Sequence, residues 1–184
     1  MSDPQSNLII RPADPADLDA TCRLVAAVVD ALRRAGIDQW DEAYPDREQL
    51  AADTRRRELR LMPRDGHPIA LCALNARCDP AYANGRWEQP EAPFRVLHRL
   101  CVDPEYQGLG LAHALLRHIE AEARAAGCET LRLDVFTKNP TAQALYRSAG
   151  YRCVGQARWR KGVFDLMEKK LRRTSAAADG AFTF

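Results

Sequence analysis

The chain has 184 residues, a formal net charge of +2, and 46% hydrophobic against 28% charged residues. At about 150 residues per domain this length predicts one domain with a packed core, and the composition excludes a disordered or low-complexity polypeptide. The near-neutral charge argues against a broad nucleic-acid surface and no apolar run reaches the roughly 20 residues that span a bilayer, so neither nucleic acid nor membrane is an expected partner. The start, Met1-Ser-Asp-Pro-Gln-Ser, lacks a basic-then-apolar export signal, which makes the cytoplasm the expected location. Six cysteines at positions 22, 72, 78, 101, 128 and 153 show no Cys-x-x-Cys spacing. They read as reduced core residues, with no metal site and no disulfide framework.

Taken in order, Leu8-Ile9-Ile10 before Arg11-Pro12 predicts a short first strand. Asp14-Pro15 starts a helix, with the carboxylate as N-cap and proline at the first helical position. Leu18, Cys22, Val25, Val29 and Leu32 give it one apolar face, and Gly36 ends it. An aromatic connector from Gly36 to Asp46 leads to a second helix, opened by the capping box Asp46-x-x-Gln49 and running to about Glu58. Arg55, Arg56 and Arg57 read as a solvated face of that helix. Leu59 to Met62 and Pro68 to Asn75 flank Asp65-Gly66 and predict a β-hairpin. Cys78 to Pro93, with Pro80, Gly85, Pro90 and Pro93, predicts a long loop whose Tyr82 and Trp87 either pin it to the surface or line a pocket.

The rest of the chain is organised around 96–126. Leu97 to Val102 is an apolar strand closed by Asp103-Pro104, and Ala112, Leu115, Leu116, Ile119, Ala123 and Ala126 mark one face of a helix ended by Gly127. Between them Gly108 and Gly110 strip bulk from a helix entrance, where unpaired N–H groups and the helix dipole favour an anion. A dinucleotide fingerprint would need a third glycine where His113 stands, and a nucleoside-triphosphate loop would need Gly-Lys-Ser/Thr. Thr130 to Phe136 alternates like a half-buried strand, implying a right-handed parallel crossover. Asn139-Pro140 caps a short helix with Ala142, Leu145, Tyr146 and Ala149 on one face, ended by Gly150. Two final strands surround Lys161-Gly162, and the segment from Arg172 on has no apolar period and reads as a disordered tail. A single domain over 1–171 with a tail over 172–184 is therefore expected.

Gln107-x-x-Gly110-x-Ala112 between a strand and a helix resembles the pyrophosphate-binding signature of the GCN5-related N-acetyltransferases. The segment with Asn139, Ala142, Tyr146 and Gly150-Tyr151 is similar to the second signature of that family, and the two occur in the right order. The resemblance extends to the element order of nearly the whole chain. It implies a mixed α/β fold with a central, mostly antiparallel sheet, helices on both faces, and a parallel strand 4/strand 5 pair splayed around the cofactor. It also implies acetyl-coenzyme A (acetyl-CoA) as acyl donor and direct transfer to a primary amine in a ternary complex. Trp40, Tyr44-Pro45 and His98-Arg99-Leu100 resemble a poorly characterised bacterial subgroup, for which no acceptor follows.

Carried over residue by residue, the resemblance assigns cofactor contacts to Leu100, Cys101 and Val102 on the splayed strand. It adds Gln107, Gly108, Leu109, Gly110, Leu111 and Ala112 at the helix entrance, with Asn139 and Ala142 on the second signature. Tyr146 matches the general acid that protonates the leaving thiolate. Cys101 as a covalent nucleophile is the rival to direct attack. For the base, His98 has a suitable intrinsic pKa and is read as sharing strand parity with Leu100 and Val102, while Asp134, Glu168 or a water are alternatives. The acceptor, a small amine or a protein amine, stays open, as does the use of longer acyl groups. Dimerisation is common in the family, so a homodimer is a further option. A non-catalytic acyl-CoA-binding or regulatory module on the same fold, or an interaction domain whose glycine turn only caps a helix, is the alternative reading.

Overall fold

The computed structural model describes residues 9–171; the tail expected over 172–184 and Leu8 lie outside the described residues. A seven-stranded mixed sheet in the order β1-β2-β3-β4-β5-β7-β6 forms its centre. The first strand, β1, is Arg11–Pro12 rather than the expected 8–10 run, and it pairs with Leu61 and Arg60 at the sheet edge, where a proline lacking an N–H is tolerated. Ile9 is exposed. A 3₁₀ turn over Pro15–Asp17 then enters α1, Leu18–Arg34, and Gly36 at φ +71° releases the chain. The second helix, α2, is Arg47–Arg55, three residues shorter than expected at its end. Its N-cap is as read: Gln49 N–H donates to Asp46 Oδ1 at 2.8 Å.

The hairpin of β2, Leu59–Arg64, and β3, His67–Asn75, turns at Asp65-Gly66, both with positive φ. The fourth strand, β4, is Phe94–Val102; α3 is Leu111–Ala125; β5 is Thr130–Phe136; α4 is Pro140–Ser148; and β6, Arg152–Trp159, with β7, Gly162–Lys170, closes the fold. The expected crossover is present, since β4 and β5 pair in parallel and every other pairing is antiparallel.

Both faces of the sheet are covered. One core packs α3 and α4 against Leu97, Val102, Leu133 and Met167, and the other packs α1 and α2 against Leu61, Leu71 and Ala73. At about 25 cal/mol per Å² of apolar surface, each fully buried leucine here contributes about 2 kcal/mol. Among the described residues the far end of the second face carries no α-helix, only a 3₁₀ turn over Pro80–Asn84. There the loop after β3 lies on the sheet, with Tyr82 buried against Val96, Ala157 and Leu166. Arg86 N–H donates to Val154 O at 2.7 Å, and a Cβ at Gly155 would stand 2.6 Å from Asn84 O, so only glycine permits that approach. This cover corrects the reading of β5 as half-buried. Arg132 is 4% exposed, held by Glu168 and sandwiched against the rings of Trp87 and Phe94 at 4.5 and 4.0 Å.

The cysteines divide. Cys72, Cys101 and Cys128 are buried as expected, whereas Cys78 and Cys153 are exposed and belong to no core; none is in a disulfide.

Candidate functional site

The site is built where one strand pair comes apart. The β4/β5 register runs from Phe94↔Thr130 to Leu97↔Leu133 and stops, leaving 98–102 without a partner on that side. On the other side β3 pairs His98 with Ala73 and Cys101 with Leu71, so Arg99 and Leu100 together oppose Cys72. This is a β-bulge, and Arg99 at φ +54° is its strained residue. The extra residue resets the alternation of side chains. Leu97, Leu100 and Val102 pack toward α3, while His98 and Cys101 oppose Ala73 and Leu71 on the α1/α2 face. His98 therefore does not share a face with Leu100 and Val102, contrary to the expected parity.

Charge fixes the bulge. The Arg99 guanidinium pairs with the fully buried Asp53 carboxylate, which Gln49 Nε2 also contacts at 2.8 Å, and donates to Tyr44 Oη at 2.9 Å. A buried carboxylate without such a partner would be strongly unfavourable. Arg99 stood in the sequence only as part of the His98-Arg99-Leu100 resemblance, and Asp53 was not singled out. The signal available was an arginine inside an apolar strand, a position that demands a partner.

A cleft of about 1330 Å³ opens from this split. Leu100, Cys101, Val102, Gln107, Gly108, Gly110, Leu111, Ala112, Asn139, Ala142, Tyr146 and His98 all line it, so nearly every residue singled out from the two signatures converges there. Leu109 does not; its side chain is half exposed to solvent. Glu168 does not line the cleft either, because it faces Arg132 and accepts from Glu88 N–H at 2.9 Å, which makes it a structural ion pair.

At one end of the cleft Gly110, φ +76°, is the N-cap of α3, and no side chain caps the helix. Left-handed backbone at Gly108 and Gly110 turns the chain through the loop, and open space surrounds a Cβ built at Gly108. Uncapped N–H groups at a bulk-free helix entrance fit a phosphate or pyrophosphate, which is the anion acetyl-CoA presents. Gln107 Nε2 donates to Val102 O at 3.3 Å, tying this loop to the splayed strand.

Asn139 caps α4, accepting from Ala142 N–H at 3.0 Å, and its Nδ2 donates to Gln39 Oε1 at 2.9 Å. Tyr146 is 7% exposed, edge-on to Tyr151 at 5.7 Å, and burial followed by the nearby Asp134 charge pushes its phenol well above the usual value. Burial pushes the Cys101 thiol up to about 12, which holds it protonated and argues against a thiolate nucleophile.

The opposite wall carries the groups that could handle an acceptor. Asp134 lines the cleft and accepts from Tyr82 Oη at 2.8 Å; burial raises its carboxyl, opposed by that hydrogen bond and by Arg99. His98 Nε2 lies 3.2 Å from Asn75 Oδ1, and burial, then Arg99, pushes its imidazole down to about 4. It is neutral at pH 7. Asp134 and Tyr82 are thus joined in one unit, although the loop had no periodic signal linking it to β5.

A sheet splayed beside an uncapped, bulk-free helix entrance and a buried tyrosine matches the site expected of a coenzyme A-dependent acyl-transfer enzyme. The model of the Acetyltransferase (GNAT) family matches residues 24–151. Over 145 residues, 77% of this chain and 84% of the relative, it is 30% identical to the aminoglycoside N(6')-acetyltransferase type 1 of Stenotrophomonas maltophilia. Over 56 residues it is 46% identical to the [ribosomal protein bS18]-alanine N-acetyltransferase of Escherichia coli K12, covering 30% of this chain and 38% of that protein. Among solved structures, a GNAT-family acetyltransferase from Streptococcus agalactiae superposes with a TM-score of 0.80 at 23% identity, over 90% of this chain and 99% of the other. The chain belongs to the acetyltransferase (GNAT) family. It is an N-acetyltransferase with acetyl-CoA as acyl donor.

Proposed function

We propose that this chain transfers acetyl to a primary amine by direct attack, with the donor held between α3, β4 and α4 and the acceptor entering from the face of α1 and the loop after β3. The observation that carries this reading is the end of β4/β5 pairing at Leu97↔Leu133, beside the uncapped entrance of α3 and Tyr146. Acetyl-CoA, when bound, supplies a thioester whose C–S bond breaks as the new N–C bond forms. The N–H groups of the Gly108–Ala112 loop bind its pyrophosphate, and the unpaired backbone of Leu100 to Val102 orients the arm and the acetyl carbonyl. Asn139 and Ala142 flank that arm.

Asp134 removes one proton from the incoming ammonium. Its raised carboxyl suits a base that must also release the proton, and its charge attracts the cation. His98, neutral on the same face, serves as the relay partner through water, a role supported by its position on the opposite face of β4 from Leu100. Tyr146 donates a proton to the leaving sulfur, and burial keeps the phenol in the donor form. Residues 1–171 form one such domain in this reading, supported by a single sheet running from Arg11 to Lys170. Among the described residues no helix is long and apolar enough to cross a membrane, which agrees with a cytoplasmic enzyme. Acceptor amines in the relatives' names are an aminoglycoside and a ribosomal-protein alanine, so small-molecule and protein amines are both within reach of this family.

The test is mass-spectrometric detection of acetylated product from an amine mixture with acetyl-CoA, using Tyr146→Phe and Asp134→Asn as controls. Acetylation lost in both controls supports the assignment. Acetyl-CoA binding without any acetylated product favours a non-catalytic binding module instead.

A further inference from the structure

We propose that the acceptor is a small molecule carrying a single ammonium group on an apolar or aromatic body. The proposal rests on the acetyltransferase reading above and concerns its acceptor half.

The first observation is the charge of the cleft wall. Four cationic side chains line it, and each is engaged by an acidic partner. Arg77 pairs with Glu58, Arg99 with Asp53, Arg160 with Asp41, and Lys161 with both Asp38 and Asp41. Among the described lining residues the carboxylates are Asp79 and Asp134, and neither has a cationic side chain bonded to it. Asp79 is exposed, where water already solvates its carboxylate, and it caps a 3₁₀ turn by accepting from Ala81 N–H at 2.8 Å. What remains to meet an incoming ammonium is one carboxylate, Asp134, steadied by Tyr82. A polycationic acceptor would bring several ammonium groups to a wall with one carboxylate for them, and each unmatched charge would lose hydration without a partner.

The second observation is the surface around that carboxylate. Tyr82, Trp159 and Phe164 form a panel, with Trp159 6.4 Å from Tyr82 and edge-on to Phe164 at 5.1 Å. Leu32 and Ile37 bring aliphatic surface from the end of α1 and the connector. Such a wall stabilises an apolar or aromatic body and gives little to a hydroxyl-rich one.

The third is closure. Asp38 and Asp41 on the connector hold Arg160 and Lys161 on the β6–β7 turn, with Arg160 bidentate to Asp41 at 2.8 and 2.9 Å. Gln39, between them, bonds Asn139 on α4. The connector is thereby tied to the β6–β7 turn and to α4, all of which contribute to the cleft. These ties fix that wall of the cleft, which suits a small acceptor better than one that must displace it.

The test uses the full chain with acetyl-CoA and three acceptors at equal concentration: 2-phenylethylamine, kanamycin, and a short peptide with a free N-terminal alanine. The expected result is a kcat/KM for 2-phenylethylamine at least ~10-fold above the other two, equivalent to about 1.4 kcal/mol of discrimination. Trp159→Ala should raise the KM for 2-phenylethylamine several-fold while acetyl-CoA binding is unchanged, and Trp159→Phe should recover most of the loss. Preference for kanamycin or for the peptide overturns the proposal. Acetyl-CoA binding with no turnover of 2-phenylethylamine overturns the acceptor class and leaves the donor site standing; failure to bind acetyl-CoA overturns the enzymatic reading with it.

Discussion

Tyr82 donates its hydroxyl hydrogen bond to Asp134 Oδ1 at 2.8 Å, joining an irregular loop to a carboxylate that lines the cleft. Tyr82 is held in turn by stacking on Trp87 at 5.6 Å and by the Trp87 Nε1 bond to its carbonyl at 2.9 Å. The loop therefore tunes that carboxylate. Burial raises the Asp134 carboxyl, and the bond from Tyr82 lowers it, as does Arg99 on β4, while Asp79 on the loop raises it. Removing the hydroxyl in Tyr82→Phe takes away a lowering influence, so the acid limb of the kcat/KM profile should move to higher pH. A pH–rate profile checks this, and an unmoved or lowered limb contradicts it. Asp134→Asn should cost about 10²- to 10⁴-fold in kcat/KM.

Tyr146→Phe keeps the ring that packs on Tyr151 and removes the proton donor. The expected outcome is a fall in kcat on the order of 10²-fold with the KM for acetyl-CoA nearly unchanged, which steady-state kinetics resolves. A large rise in KM with kcat intact would assign Tyr146 to binding instead.

His98 makes a prediction about stability. Its folded pKa, about 4, lies below the unfolded value near 6.5, so the unfolded chain binds the extra proton between those limits. This contribution to stability is complete above pH 6.5 and is lost as pH falls through the window to about 4, by up to about 3 kcal/mol. Denaturant midpoints of wild type and His98→Gln across pH 4 to 7 should converge toward the acid end. Parallel curves would show that the imidazole is not held neutral.

Arg99→Ala strands the Asp53 carboxylate in the core and should destabilise the fold by about 3–5 kcal/mol. Arg99→Ala with Asp53→Leu removes both charges and should recover a large part of that loss. Chemical denaturation of the two variants measures the difference, and equal stabilities would mean that the pair does not hold the bulge.

The periodic parts of this fold were legible in the sequence. Apolar spacing located α1, α3 and β5, and Asp46, Asn139 and Gly36 marked helix ends, because caps and stripes depend on neighbours a few residues away. Two things were not. Insertion of one residue at Arg99–Leu100 depends on what β3 offers across the ladder, so the alternation that put His98 beside Leu100 held only up to the bulge. The cover on β5 depends on a loop some fifty residues earlier, so the strand read as half-buried when Trp87, Phe94 and Tyr82 in fact enclose Arg132 and Asp134. At the site, the two signatures followed from local motif spacing; the connector and the loop after β3 were marked as segments, but the long-range contacts that join Tyr82 to Asp134 and Arg160 to Asp41 were not.

The central claim is that the entrance of α3 binds the donor's pyrophosphate, and calorimetric titration of acetyl-CoA tests it most directly. Wild type should bind one equivalent saturably. Gly110→Asn, which tolerates the left-handed backbone at φ +76° and adds no charge, should retain measurable binding, whereas Gly110→Glu should lose it. Equal affinity of wild type and Gly110→Glu, with all three proteins folded by circular dichroism, would contradict the account.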